Sequence, residues 1–187
     1  MTGIAIFSAI IVVLQIISTF VKFGPFSITL ALAPIIIGAA IYGTQAGAIL
    51  GFVFSAVVVI TGILGWDGGF IMLLMGISPV GLLITALGKG TLAGWVSGLC
   101  YKLVSKKNEL AAVICAGIVC PLVNTGFFVV GMLVFFAETF AEMAGGQNIV
   151  SYVIFGLAGI NFLVELIVNL VLSSGISQII KAGKSMR

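Results

Sequence analysis

Leu87-Gly-Lys-Gly-Thr-Leu-Ala-Gly-Trp-Val-Ser-Gly-Leu-Cys-Tyr-Lys-Leu103 is the stretch that settles which solvent this chain folds in. Its glycines Gly90, Gly94 and Gly98 recur every four residues, so on a helix they make one smooth stripe. In water such glycines weaken a helix by about 1 kcal/mol each relative to alanine. In a membrane they let a neighbouring helix approach closely and pack by dispersion. Lys89 is the single charge before Lys102, and the rest is apolar or small. The stretch reads as the heart of a membrane-spanning helix that includes Thr85 to Val104.

The rest of the chain agrees. Hydrophobic residues make up 61% and charged residues 7%, with mean hydropathy +1.38. A soluble domain carries roughly 25% charge, so a bilayer must replace water around most of this surface. At about 20 apolar residues per span, 187 residues allow six or seven helices and no separate soluble domain. The expected architecture is an all-α integral membrane protein, a single domain over residues 1–187. No Gly-rich loop ending in Lys-Ser or Lys-Thr is present to cradle a nucleotide's phosphates. Histidine is absent, which removes the usual metal ligand and neutral-pH base. Cys100, Cys115 and Cys120 all fall in apolar segments and read as small buried hydrophobes. No cofactor is expected, and nothing suggests nucleic acid as a partner.

Read outward from the opening stretch, the spans follow. A first helix is expected from about Gly3 to Val21; it is too long, and lacks the basic start, for a cleaved signal peptide. Lys22-Phe-Gly-Pro-Phe26 ends it, and a second helix runs from about Ser27 to Tyr42, kinked at Pro34. The third runs from about Ala46 to Leu64 and stops at Gly65-Trp-Asp-Gly-Gly69. Phe70 to Gly88 is apolar but broken by Gly76, Ser78, Pro79 and Gly81, and is left open as helix, re-entrant piece or loop. The fifth helix spans about Leu110 to Phe136, interrupted at Pro121, and the sixth about Ser151 to Ile180, with a loop over Ala137 to Val150 between them. Lys102, Lys106, Lys107, Lys181, Lys184 and Arg187 gather on one face, six of the eight basic residues. The positive-inside rule places that face, and both termini, in the cytoplasm.

Polar groups inside the hydrocarbon are costly and need a reason. Gln15 reads as packing glue between helices. Lys89 and Asn124 each lie about 20 Å from the cytoplasmic ends of their helices, and Asn161 and Glu165 about 15 and 21 Å below the outer end of theirs. A cation and two amides thus share one layer, with a carboxylate beneath. Asn161, Glu165 and Asn169 are four apart and share a helix face. One reading is a structural network in which Lys89 snorkels or pairs with Glu165. The other is a pocket open to the outside, where Lys89 attracts an anionic or dipolar ligand and the asparagines read its polar groups. Trp66, Phe23 and Phe26 would be lids over it, or else an aromatic belt. Ala5 and Ala9 flatten one face of the first helix, and spacing alone suggests a packing seam within the bundle.

These features together resemble the substrate-binding S component of energy-coupling factor (ECF) transporters, in the branch with riboflavin, folate and pantothenate carriers. The resemblance covers the whole chain. It is carried by about six helices in so short a chain with both ends inside, and by Ala5-Ile-Phe-Ser-Ala9. The apolar helix after Phe23-Gly-Pro-Phe26, the stretch quoted first, and Pro121-Leu-Val-Asn-Thr125 add to it. Where family members often carry Arg ahead of the glycines, this chain has Lys89. The resemblance implies that the Ala5/Ala9 face meets a membrane coupling (T) subunit and that two partner ATPases hydrolyse ATP. It implies a vitamin-like ligand and a bacterial plasma membrane, and the residues read above as holding the ligand are Lys89, Asn124, Asn161 and Glu165, with Trp66 and Phe26 near the lid. The rival expectations are a stand-alone carrier or channel driven by a gradient, for which internal symmetry is lacking, and an intramembrane enzyme, for which no nucleophile stands beside a base.

Overall fold

In the computed structural model the structure describes residues 2–20, 22–23, 26–27 and 29–185. Helix α1 is Thr2–Phe20, followed by two short strands, β1 (Lys22–Phe23) and β2 (Phe26–Ser27). Then come α2 (Leu32–Tyr42), α3 (Thr44–Ile63), α4 (Phe70–Ile77), α5 (Pro79–Val104), α6 (Glu109–Phe135), α7 (Ala137–Met143) and α8 (Ile149–Ser151). A π-helical stretch, Tyr152–Ala158, leads into α9 (Gly159–Ser185). Among the described residues, five helices are long and apolar enough to cross a membrane: α1, α3, α5, α6 and the Phe162–Gly183 part of α9. The sixth apolar helix, α2, is shorter and almost wholly buried among the others.

The glycine stripe does what its spacing predicts. A Cβ on Gly51 of α3 would overlap the carbonyl oxygen of Gly90, and one on Gly94 would overlap that of Gly47. The two helices therefore touch backbone to backbone, which only glycine permits. Gly98 continues the seam against Thr44 and Ala39. On the other flank of α5, Gly81, Gly88 and Thr85 meet Phe135, Phe127 and Gly131 of α6, fixing an antiparallel register. α5 is thus the central post of the bundle.

Both described ends of the chain lie at one end of the bundle. Gly3 packs against Tyr42, and Gly183 against Ile41, at the end of α2. At the opposite end Phe20 meets Trp66, and Phe70 meets Phe140, with ring centroids 5.7 and 6.4 Å apart. This is the even number of crossings expected, with the basic loop at Lys102 to Lys107 on the side of the termini.

Several element boundaries differ from expectation. The second helix begins at Leu32, because Lys22–Phe23 and Phe26–Ser27 pair as an antiparallel ladder, Lys22 opposite Ser27 and Phe23 opposite Phe26. Pro34 then sits in the first turn, where the missing N–H has no helical acceptor to lose, so no kink is needed. Phe70 to Gly88 is helical on both sides of a break at Ser78. There the Ser78 hydroxyl accepts from the Gly81 amide at 3.1 Å and caps α5, with Pro79 as its first residue. The Asp67 carboxylate accepts from the amides of Gly69 and Ile71, at 2.9 and 2.8 Å, and starts α4. Pro121 lies inside α6 without interrupting it. The outer loop from Ala137 carries a short helix, and the last long element begins at Ile149.

Candidate functional site

The register of α5 on α6 orders the polar residues by depth. Thr85 faces Gly131, and Gly88 faces Phe127, toward the outer end. One turn further in comes the level of Asn124. Below it Cys120 is fully buried, with Ser97 of α5 and Glu165 of α9 in its neighbourhood. Deeper still, Asn169 packs on Gly117, 3.6 Å from where a Cβ would stand. Pro121 has no N–H, so the Gly117 carbonyl beside Asn169 lacks its helical donor.

Lys89 projects between α5 and α6. Its Nζ stands 5.3 Å from the centre of the Phe128 ring, a cation–π arrangement that partly replaces water. The charge of Glu165 also reaches it. Around it a cavity of about 20 Å³ is walled by residues including Phe70, Leu74, Thr85 and Met132. That is room for about one water, with Phe70 and Leu74 of α4 on one side of the half-buried lysine.

Asn124 is 3% exposed, and its Oδ1 accepts no hydrogen bond among the described residues. Thr85 Oγ1 is likewise buried and without a partner there. Glu165 is 1% exposed on the inward face of α9, as its four-residue spacing with Asn169 requires. Lys89, Asn124 and Glu165 therefore descend through the bundle interior on three different helices. The side chain of Asn161 lies outside the described residues, though its backbone belongs to α9. The side chain of Phe26 also lies outside them; its backbone is in β2. Trp66 is 41% exposed and stacks on Phe20 at the outer end of α1, away from the residues that line the Lys89 cavity.

Ala5 and Ala9 are exposed on the outside of the bundle, not in an internal seam. They continue a stripe with Ile6, Ile10, Val13 and Ile17, all exposed. Thr85 is the polar neighbour of Lys89 that sequence reading passes over. Its signal was a hydroxyl one turn before a mid-membrane lysine on the same face.

Residues 1–177 match the family model for the ECF transporter substrate-specific component. Among solved structures the chain resembles ThiT from Listeria monocytogenes, with TM-score 0.61 and 19% identity over 96% of this chain and 95% of that one. At that identity the likeness is one of fold. No curated protein matches the sequence. Neither finding favours a stand-alone carrier or channel. The chain belongs to the substrate-specific components of ECF transporters, and it is the substrate-binding membrane subunit of such an uptake system.

Proposed function

We propose that the ligand is held in the outer half of the bundle, where α5, α6 and α9 bring Lys89, Asn124 and Asn161 to neighbouring levels above Glu165. The observation that carries this reading is the Asn124 amide oxygen, buried and without a partner among the described residues one turn inside a lysine that points into the bundle. A buried polar atom left unsatisfied costs about 1–3 kcal/mol, a cost that a ligand's donor would offset. The lysine suits an anionic group, a carboxylate or phosphate, on a vitamin-like metabolite. The cavity beside Lys89, lined in part by α4, widens for a ligand when α4 moves aside. Trp66 and Phe26 belong to the outer rim in this reading, at the entrance and not in the pocket.

The Ala5/Ala9 face docks on a membrane coupling subunit, and two ATPase subunits supply the energy, in the bacterial plasma membrane. The chain alone binds and does not pump. The test is mass spectrometry of small molecules retained by the detergent-purified protein. A defined metabolite should co-purify with the wild type and be lost from Lys89→Ala. Equal retention by that variant would sink the assignment of the site, and ATP-independent accumulation by the lone chain in liposomes would sink the division of labour.

A further inference from the structure

On the flank of α6 turned away from Lys89 lies a second, much larger cleft, of about 370 Å³, between α6 and the outer part of α9. Leu122, Thr125, Gly126, Val129, Ile154 and Phe162 line it, and among them only Thr125 has a polar side chain. Leu122, Val130 and Ile154 at its mouth are exposed on the outside of the bundle. The α6 wall and Phe162 belong to helices long and apolar enough to cross a membrane, and the exposed mouth between them is apolar. Leu122 to Val130 covers about 12 Å of depth, ending about 8 Å short of the outer end of α6 at Phe135. That is the zone of the outer leaflet's chains.

Local backbone features build the recess. The π-helical stretch Tyr152–Ala158 widens the turn that forms one wall; such turns are uncommon and tend to mark functional places. It closes on Gly159, where a Cβ would come 2.8 Å from the Ile154 carbonyl oxygen. On the facing wall Gly126 has no described residue within 4 Å of where a Cβ would stand. Among the described residues, then, no close helix contact calls for this glycine.

We propose that this cleft seats one acyl chain of an outer-leaflet lipid. Its uncharged lining, its height along the membrane normal and its mouth on the bilayer all match a hydrocarbon chain. The site is separate from the Lys89 compartment and does not depend on the ligand assignment there. The bound chain supports the π-helical wall from outside, next to the segment that carries Asn161.

The test uses the full chain reconstituted into vesicles doped with a phosphatidylcholine that bears a diazirine midway along one acyl chain. After photolysis, labelled peptides are mapped by mass spectrometry, with α1, which is also lipid-exposed, as the internal reference. The α6 and α9 peptides that contain Leu122, Val130, Ile154 and Phe162 should carry several-fold more label than α1. Gly126→Leu should fill the cleft and reduce that excess several-fold, leaving α1 labelling unchanged. Val130→Trp, at the exposed mouth, should act likewise without touching the packed interior. Labelling no greater than that of α1 and indifferent to both variants would overturn the proposal. So would a cleft shielded from label in a protein that light scattering shows to be a dimer, because a second copy would then be the occupant.

Discussion

At Asn124 the proposed binding role and the requirements of folding pull in opposite directions. A leucine there would keep the volume and remove a buried carbonyl oxygen that has no donor among the described residues. If the amide serves only packing, little should change on binding. If it serves a ligand, Asn124→Leu should hold or raise thermal stability, by up to about 1–3 kcal/mol, and abolish ligand retention. Thermal unfolding in detergent, run beside the retention assay, separates the two. Lys89→Ala should cost roughly 10- to 100-fold in affinity, the scale of one lost hydrogen bond to a charged group. Lys89→Arg should not rescue it fully, because the guanidinium is planar and the cavity about 20 Å³. A binding isotherm with the metabolite identified by mass spectrometry checks both.

At the scale of elements, small residues place α3, α5 and α6 more than hydrophobic bulk does. Gly51→Ala or Gly90→Ala puts a methyl into a facing backbone carbonyl or hydroxyl, and the helices must part. A loss of roughly 1–3 kcal/mol is expected, read as a lower midpoint of thermal aggregation. Gly76→Ala, with no described residue within 4 Å, should be neutral or slightly stabilising, since glycine within a helix costs roughly 0.5–1 kcal/mol. This seam was legible in the sequence because a four-residue repeat is a statement about one helix face. The short α2 was not. Its apolar run is continuous from Ser27, and nothing local says that Phe26–Ser27 will pair with Lys22–Phe23 instead of joining the helix. Phe70 to Gly88 was ambiguous for a related reason, since Ser78-Pro79 marks a helix start as well as a loop, and only the helix packing decides. Lys89, Asn124 and Glu165 could be assigned to depth levels by counting residues. Counting could not find the apolar cleft at Gly126, because it depends on a π-helical turn that leaves no mark in the hydrophobic pattern.

For the whole molecule, the proposed capture site and the proposed docking face lie on separate surfaces. The polar residues Lys89, Asn124 and Glu165 lie on α5, α6 and α9, whereas Ala5 and Ala9 face outward from α1 on a flat apolar stripe. Substitutions on the two surfaces should therefore be separable. Ala5→Trp or Ala9→Trp adds bulk to an exposed face without entering the core, so folding and ligand retention should match the wild type. The same bulk would hold a coupling subunit's helix off the stripe, since close helix contact in a membrane depends on small residues. Co-expressed with its coupling subunit and ATPases, the variant should lose co-purification of those partners and ATP-dependent uptake by tenfold or more. Lys89→Ala should show the opposite pattern, with partners retained and ligand lost. If Ala9→Trp kept the partners and full uptake, α1 would not be the docking face, and its exposed alanines would be lipid-facing residues like Ile10 and Val13 beside them.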